Sequence, residues 1–274
     1  MPGLTGRPRA SGRARRALGI AACVALVAVA GGMPCPPGAA AAGGPGVVLL
    51  VMVDKHTWQP YEYGSAFFFD RSGDAYTASH VVADAVRDPN VMLVAVVNRT
   101  EYAARVECWN PAMRGTPGAL GRDVAIVRVG PEVPLFPLWQ FVPATSALAA
   151  VPLRIETGSP SPRAHGVRVI GFGGHAGPSP SAADREGDLT GTVRASDGAI
   201  ILKMSFRAAA APVNGDSGAP VLAGGVVVGL AAWERTGAAT TEVDAVAASS
   251  FGCVTRVPAG QNPLGPIDAP VRRL

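Results

Sequence analysis

Between residues 47 and 257 this chain divides into apolar-rich segments of five to seven residues, separated by stretches rich in Gly, Pro, Asp and Ser. A chain divided in this way reads as short strands joined by turns, with no long helical repeat. The first set is Val47–Val53, Gly64–Phe69, Asp74–Ala78, Val91–Val97, Ala103–Trp109 and Asp123–Val129. The second is Val167–Phe172, Leu189–Ala195, Ala199–Ser205, Ala219–Ala223 and Val226–Ala232, with Cys253–Val257 as its candidate sixth member. Val243–Ser249 is the one segment read as a short helix. Seven prolines from Pro131 to Pro162 punctuate the stretch between the sets, which reads as a connector. Two groups of about six strands suggest two barrels or sandwiches. The 34 glycines and 25 prolines have no collagen-like period, and 48% apolar against 16% charged residues excludes a disordered chain. With aromatics at only 6%, the core must be built from Val, Ala, Leu and Ile.

The first 16 residues contain Arg7, Arg9, Arg13, Arg15 and Arg16, and Ala17–Ala30 is uncharged. Ala28-Val29-Ala30 then supplies the small residues a signal peptidase accepts. Residues 1–30 therefore read as a cleaved secretory signal, with cleavage as late as Ala42 an alternative. An uncleaved leader is the other alternative and the sole expected membrane contact. Those five arginines account for the net charge of +4, so the remainder is near neutral and carries no nucleic-acid signal. Export to an oxidising compartment allows a Cys108–Cys253 bridge, but two buried free thiols is the reading preferred from sequence. No Cys or His cluster has zinc spacing, so no metal is expected.

Three segments carry chemistry. In Asn214-Gly215-Asp216-Ser217-Gly218-Ala219-Pro220, glycines on both sides of Asp-Ser allow a tight turn that exposes the Ser217 hydroxyl and aims successive N–H groups at one point. The same residue types also make ordinary β-turns. His80, in Tyr76-Thr77-Ala78-Ser79-His80, follows a strand among small residues and could swing into a cleft; His56, His165 and His175 lack that setting. Asp123 opens the apolar strand Val124–Val129, where a buried carboxylate needs a donor. An imidazole N–H is such a donor.

Taken in the order His80, Asp123, Ser217, these segments resemble the trypsin/chymotrypsin-like serine proteases, most nearly the bacterial secreted and HtrA-like branches. Thr77–His80 matches the family's TAxH, Asp123–Ile126 its D-[IV]-A-[IL] strand and Gly215–Pro220 its GDSGxP turn. Gly64-Ser65-Ala66-Phe67 is similar to the strand that precedes the family's histidine. The resemblance covers Val47 to Val257. It implies an all-β fold of two six-stranded antiparallel barrels around a central cleft, here residues 47–145 and 146–258, with 259–274 as a tail. It implies a secreted, monomeric endopeptidase with protein or peptide substrates and no cofactor. Ser217 would be the nucleophile, His80 the general base and Asp123 its orienting partner, with the Gly215 and Ser217 N–H groups as oxyanion hole.

Two departures stand out. The basic residue before Ile-Val-Gly-Gly that marks an activation cut is absent, so Asp216 is not expected to pair with a new N-terminus. Ala219 stands where the family's most common motif has Gly. By the family pattern the substrate pocket comprises Ala211, Pro212, Val213 and Asn214, with Ala232, Trp233 and Glu234 along the substrate-pairing strand. No acid lies among Ala209-Ala210-Ala211-Pro212-Val213, the stretch that would wall this pocket, so a small or apolar residue is expected on the acyl side of the cut bond. A catalytically silent fold used for binding is the alternative function.

Overall fold

The computed structural model describes residues 46–111, 121–130, 148, 150–158, 166–174, 181–236, 240–253 and 255–258. The leader, most of the proline-rich connector, His165, His175 and the tail lie outside them.

Six strands form the first barrel: β1 (Val47–Asp54), β2 (Pro60–Phe68), β3 (Asp74–Thr77), β4 (Val91–Val97), β5 (Thr100–Trp109) and β6 (Ala125–Val129). They pair antiparallel in the order β5-β4-β1-β2-β3-β6, and β5–β6 pairing closes the ring. The unbroken apolar run of β1 has a direct cause. Val48, Leu50 and Met52 face the barrel core, while Leu49, Val51 and Val53 join Met92, Val94 and Val96 in a second buried cluster. Both faces of the strand are covered, so the alternation expected of a half-exposed strand is lost. A five-residue helix, α1 (Ala83–Arg87), follows the turn after β3.

The second barrel closes in the order β10-β11-β12-β9-β8-β7. Its strands are β7 (Val167–Gly171), β8 (Ala183–Arg194), β9 (Ile200–Arg207), β10 (Pro220–Ala223), β11 (Val226–Thr236) and β12 (Thr240–Ala247). The chain crosses between barrels near Leu153, whose N–H bonds Phe68 O at 2.9 Å. Ile155 then bridges to Val227.

Four expectations are corrected here. Val243–Ser249 is not a helix: Val243–Ala247 completes β12, paired with both β11 and β9, and a single 3-10 turn follows at Ala248–Ser250. Cys253–Val257 does not supply a strand to the second barrel. Its core, β13 (Thr255–Arg256), pairs with β5 of the first sheet, Thr255 opposite Trp109 and Arg256 opposite Cys108. That pairing brings Cys108 and Cys253 to a Cα separation of 5.7 Å, and they form a disulfide, not two free thiols. The strand expected at Leu189–Ala195 also begins earlier, at Ala183, because the charged residues Asp184 and Glu186 alternate with partly covered ones.

Candidate active site

His80 lies in the turn between β3 and α1, and two hydroxyl and amide contacts fix that turn. Ser79 Oγ donates to Val124 O at 2.7 Å and accepts from the Asn110 N–H at 2.9 Å. Asn110 Nδ2 donates to Arg122 O at 3.0 Å, which ties the segment entering Asp123 to the same point. The Asp123 carboxylate, 1% exposed, then meets His80 twice. Oδ1 accepts from the His80 backbone N–H at 3.1 Å, and Oδ2 lies 2.6 Å from His80 Nδ1. A carboxylate accepts only, so Nδ1 carries the hydrogen and Nε2 is left with its lone pair in the neutral ring. Burial of the imidazole disfavours its charge, but the hydrogen bond to Asp123 and the charges of Asp123 and Glu62 outweigh this and raise the His80 pKa above the usual imidazole value.

Ser217 sits at the tip of the turn from Asn214 to Pro220. Gly215 and Gly218 have φ of 99° and 87°, the left-handed region that a side chain resists. At Gly218 the reason is also spatial, since a Cβ there would meet Ser65 O at 2.0 Å and Thr77 Oγ1 at 2.4 Å. The turn is pinned to both barrels: Ser65 N–H donates to Ser217 O at 2.8 Å, and Gly218 N–H to Ala231 O at 2.8 Å. Ser65 Oγ adds a bond to Gly215 O at 2.8 Å and accepts from Phe172 N–H at 3.0 Å.

Peptide planarity then sets the direction of two donors. Asn214 O accepts from Gly174 N–H at 3.1 Å, and Asp216 O accepts from Ala219 N–H at 2.9 Å. In a trans peptide the following N–H points the opposite way, so the Gly215 and Ser217 N–H groups are turned away from these partners.

Asp216 is 2% exposed and its carboxylate is fully engaged. Oδ1 accepts from Gly173 N–H at 2.6 Å; Oδ2 accepts from Val213 N–H at 2.9 Å and from Arg185 Nε at 2.8 Å. A second guanidinium nitrogen of Arg185 donates to Gly173 O at 3.0 Å. An internal arginine from β8 thus neutralises the residue beside Ser217. Sequence reading missed Arg185, since 31 residues separate it from Asp216 and no local pattern marks it.

A cavity of about 250 Å³ opens beside Ser217 and His80. Pro212, Val213, Asn214 and Ala232 line it, together with Val243, which the sequence did not suggest. Ala211 is instead buried in the second-barrel core. The backbones of Trp233 and Glu234 pair with Asp244 and Val243; their side chains lie outside the described set. Ser217 Oγ makes a long contact to Ala232 O at 3.5 Å. His56 is elsewhere, exposed and bonded to Asn90. Among the described residues no group of three or more His, Cys, Asp or Glu side chains could hold a metal ion. No helix among them is long and apolar enough to cross a membrane.

Two closed six-stranded barrels with this cleft define the fold of the trypsin-like proteases. The family model for the trypsin-like peptidase domain matches residues 64–230, and the chain belongs to that family. Among solved structures the chain is similar to the crystal structure of the Rv3671c protease from M. tuberculosis, active form. That match has 19% identity and a TM-score of 0.52, and covers 80% of this chain and 86% of that one. At this identity the likeness is one of fold. No match was found among the curated proteins.

Proposed function

We propose that the chain is an exported serine endopeptidase that cuts protein or peptide substrates after small or apolar residues. The observation that carries the reading is the 2.6 Å contact of His80 Nδ1 with buried Asp123, in a cleft that also holds Ser217. In this reading His80 Nε2 takes the Ser217 proton as Oγ attacks the carbonyl carbon, and returns it to the leaving amine. Substrate replaces the long Ser217–Ala232 contact, as catalytic hydrogen bonds tighten on binding. The Gly215 and Ser217 N–H groups hold the oxyanion, each worth about 10²–10³ in rate. Asp123 fixes the tautomer and stabilises the imidazolium. The apolar cavity wall of Pro212, Val213, Ala232 and Val243 supports the preference for small or apolar residues. The Arg-rich leader and Ala28-Val29-Ala30 support export.

The test is fluorophosphonate labelling and peptide hydrolysis by the purified protein. Ser217→Ala and His80→Ala should each abolish both while leaving a folded chain, and the double variant should be little worse than either. Wild-type turnover in folded Ser217→Ala refutes the reading.

A further inference from the structure

Asp123 stands at the entry to β6 of the first barrel, yet the residues on either side of it are held by the second. The Val124 side chain is buried in a cluster with Ile201 of β9, Ala232 of β11 and Val246 of β12. The Arg122 N–H donates to Asp197 Oδ2 at 2.9 Å, across 75 residues of chain. Asp197 lies in the turn of residues 195–199 between β8 and β9. That turn is fixed from within. Ala195 N–H donates to Ala199 O at 2.8 Å, Gly198 N–H to Ala195 O at 3.0 Å and Arg194 Nη1 to Gly198 O at 3.0 Å. The Ala199 N–H donates to Asp197 Oδ1 at 3.0 Å, so the carboxylate is already oriented when its other oxygen meets Arg122.

Arg122 is thereby anchored on both sides. Its N–H is held by the second barrel, and its carbonyl accepts from Asn110 Nδ2 of the first at 3.0 Å. Asp123 N–H donates to Gly121 O at 2.8 Å and Val124 N–H to Arg122 O at 2.7 Å, which winds the chain tightly at this point. One residue on from the anchored Arg122 is the Asp123 carboxylate, 2.6 Å from His80 Nδ1. Hydrogen-bond strength falls steeply with misalignment, so a shift of the Arg122–Asp123 backbone reaches the imidazole directly. Asp197 itself is exposed and is not among the residues lining the cavity beside Ser217. It can therefore act on the reaction only through Arg122 and Asp123.

We propose that Asp197 is a positioning residue for the His80–Asp123 pair: by holding the Arg122 N–H from the second barrel, it fixes where the Asp123 carboxylate meets the imidazole. Its consequence for rate rests on the peptidase reading above and deepens it. The test compares Asp197→Ala with Arg194→Ala, which removes the bond to Gly198 O from the same turn and leaves Arg122 held. Asp197→Ala should lower kcat by about tenfold, toward the ~10² that a 1 Å misplacement can cost, with KM nearly unchanged. The acid limb of kcat/KM should move down, because a looser Asp123 raises the imidazole pKa less; Glu62, the other charge acting on His80, is untouched by the change. Proton NMR titration of the His80 ring, assigned by its loss in His80→Gln, should read the same fall without any turnover. Arg194→Ala should leave kcat, the limb and the titration at wild-type values. Asp197→Gly removes the same contact at a turn position that suits glycine, and serves if Asp197→Ala does not fold. A wild-type His80 titration in the folded Asp197 variant overturns the proposal, whatever kcat does. Equal losses in Arg194→Ala overturn it too, since loosening of the turn would then be the cause. If the wild type neither labels with a fluorophosphonate nor hydrolyses peptides, the peptidase reading falls, and the titration still decides whether Asp197 positions the pair.

Discussion

Arg185→Met isolates the ion pair behind the Ser217 turn. The change keeps most of the apolar stem of a side chain that is 15% exposed and removes the guanidinium, which lies 2.8 Å from Asp216 Oδ2. Asp216 would keep two donors, the Gly173 and Val213 N–H groups, while its charge stays out of water. Breaking a buried pair by removing one partner costs ~3–5 kcal/mol when nothing else meets the charge. With two N–H groups remaining, the loss should lie at the low end, about 3 kcal/mol, or roughly 6–12 °C in Tm for a domain of this size. Function should suffer as well. Arg185 and Asp216 together hold Gly173, and the neighbouring Gly174 N–H holds the Asn214 carbonyl that sets the Gly215 N–H direction. Fluorophosphonate labelling should therefore slow by up to about 10², the scale of one oxyanion donor. Asp216→Asn in the Arg185→Met background removes the orphaned charge and should recover much of the stability. Urea unfolding and labelling rates on the three variants provide the assay. A wild-type unfolding midpoint and labelling rate in Arg185→Met would refute the reasoning.

In the proposed mechanism His80 must be neutral, so kcat/KM should rise with pH through a pKa above the unperturbed imidazole value of about 6.5, and Asp123→Asn should move that limb down and cut the rate by orders of magnitude. By linkage, the raised folded pKa favours protonated His80 in the native state. Its stabilising contribution is fully present below about 6.5 and is lost as pH rises through the folded value; denaturation of wild type and His80→Ala at several pH values checks the sign. Gly218→Ala combines a φ of 87° with a Cβ 2.0 Å from Ser65 O, so urea denaturation should show a loss of about 3 kcal/mol or more. Reducing the Cys108–Cys253 disulfide opens a link across 145 residues and should cost about 2–4 kcal/mol, read as a Tm drop that Cys108→Ser reproduces.

Much of the barrel architecture was legible because strands carry their signal locally. The apolar runs of β1 and β4 are buried on both faces, and Gly-Asp-Ser-Gly can form its turn from its own residue types. The order His80, Asp123, Ser217 was legible for the same reason, each residue sitting in its own recognisable segment. Val243–Ala247 was not, because a short run of Ala and Val suits either a helix or a strand, and pairing with β9 and β11 made it a strand. Pairings distant in the chain leave no mark in either partner's neighbourhood. Cys108 and Cys253 meet only because β13 folds back onto β5. Arg185 meets Asp216 only because the closed second barrel carries β8 past the Ser217 turn. Local conformational preference is written residue by residue, whereas which charge faces which, and which thiol meets which, depends on the closure of two barrels and the packing between them.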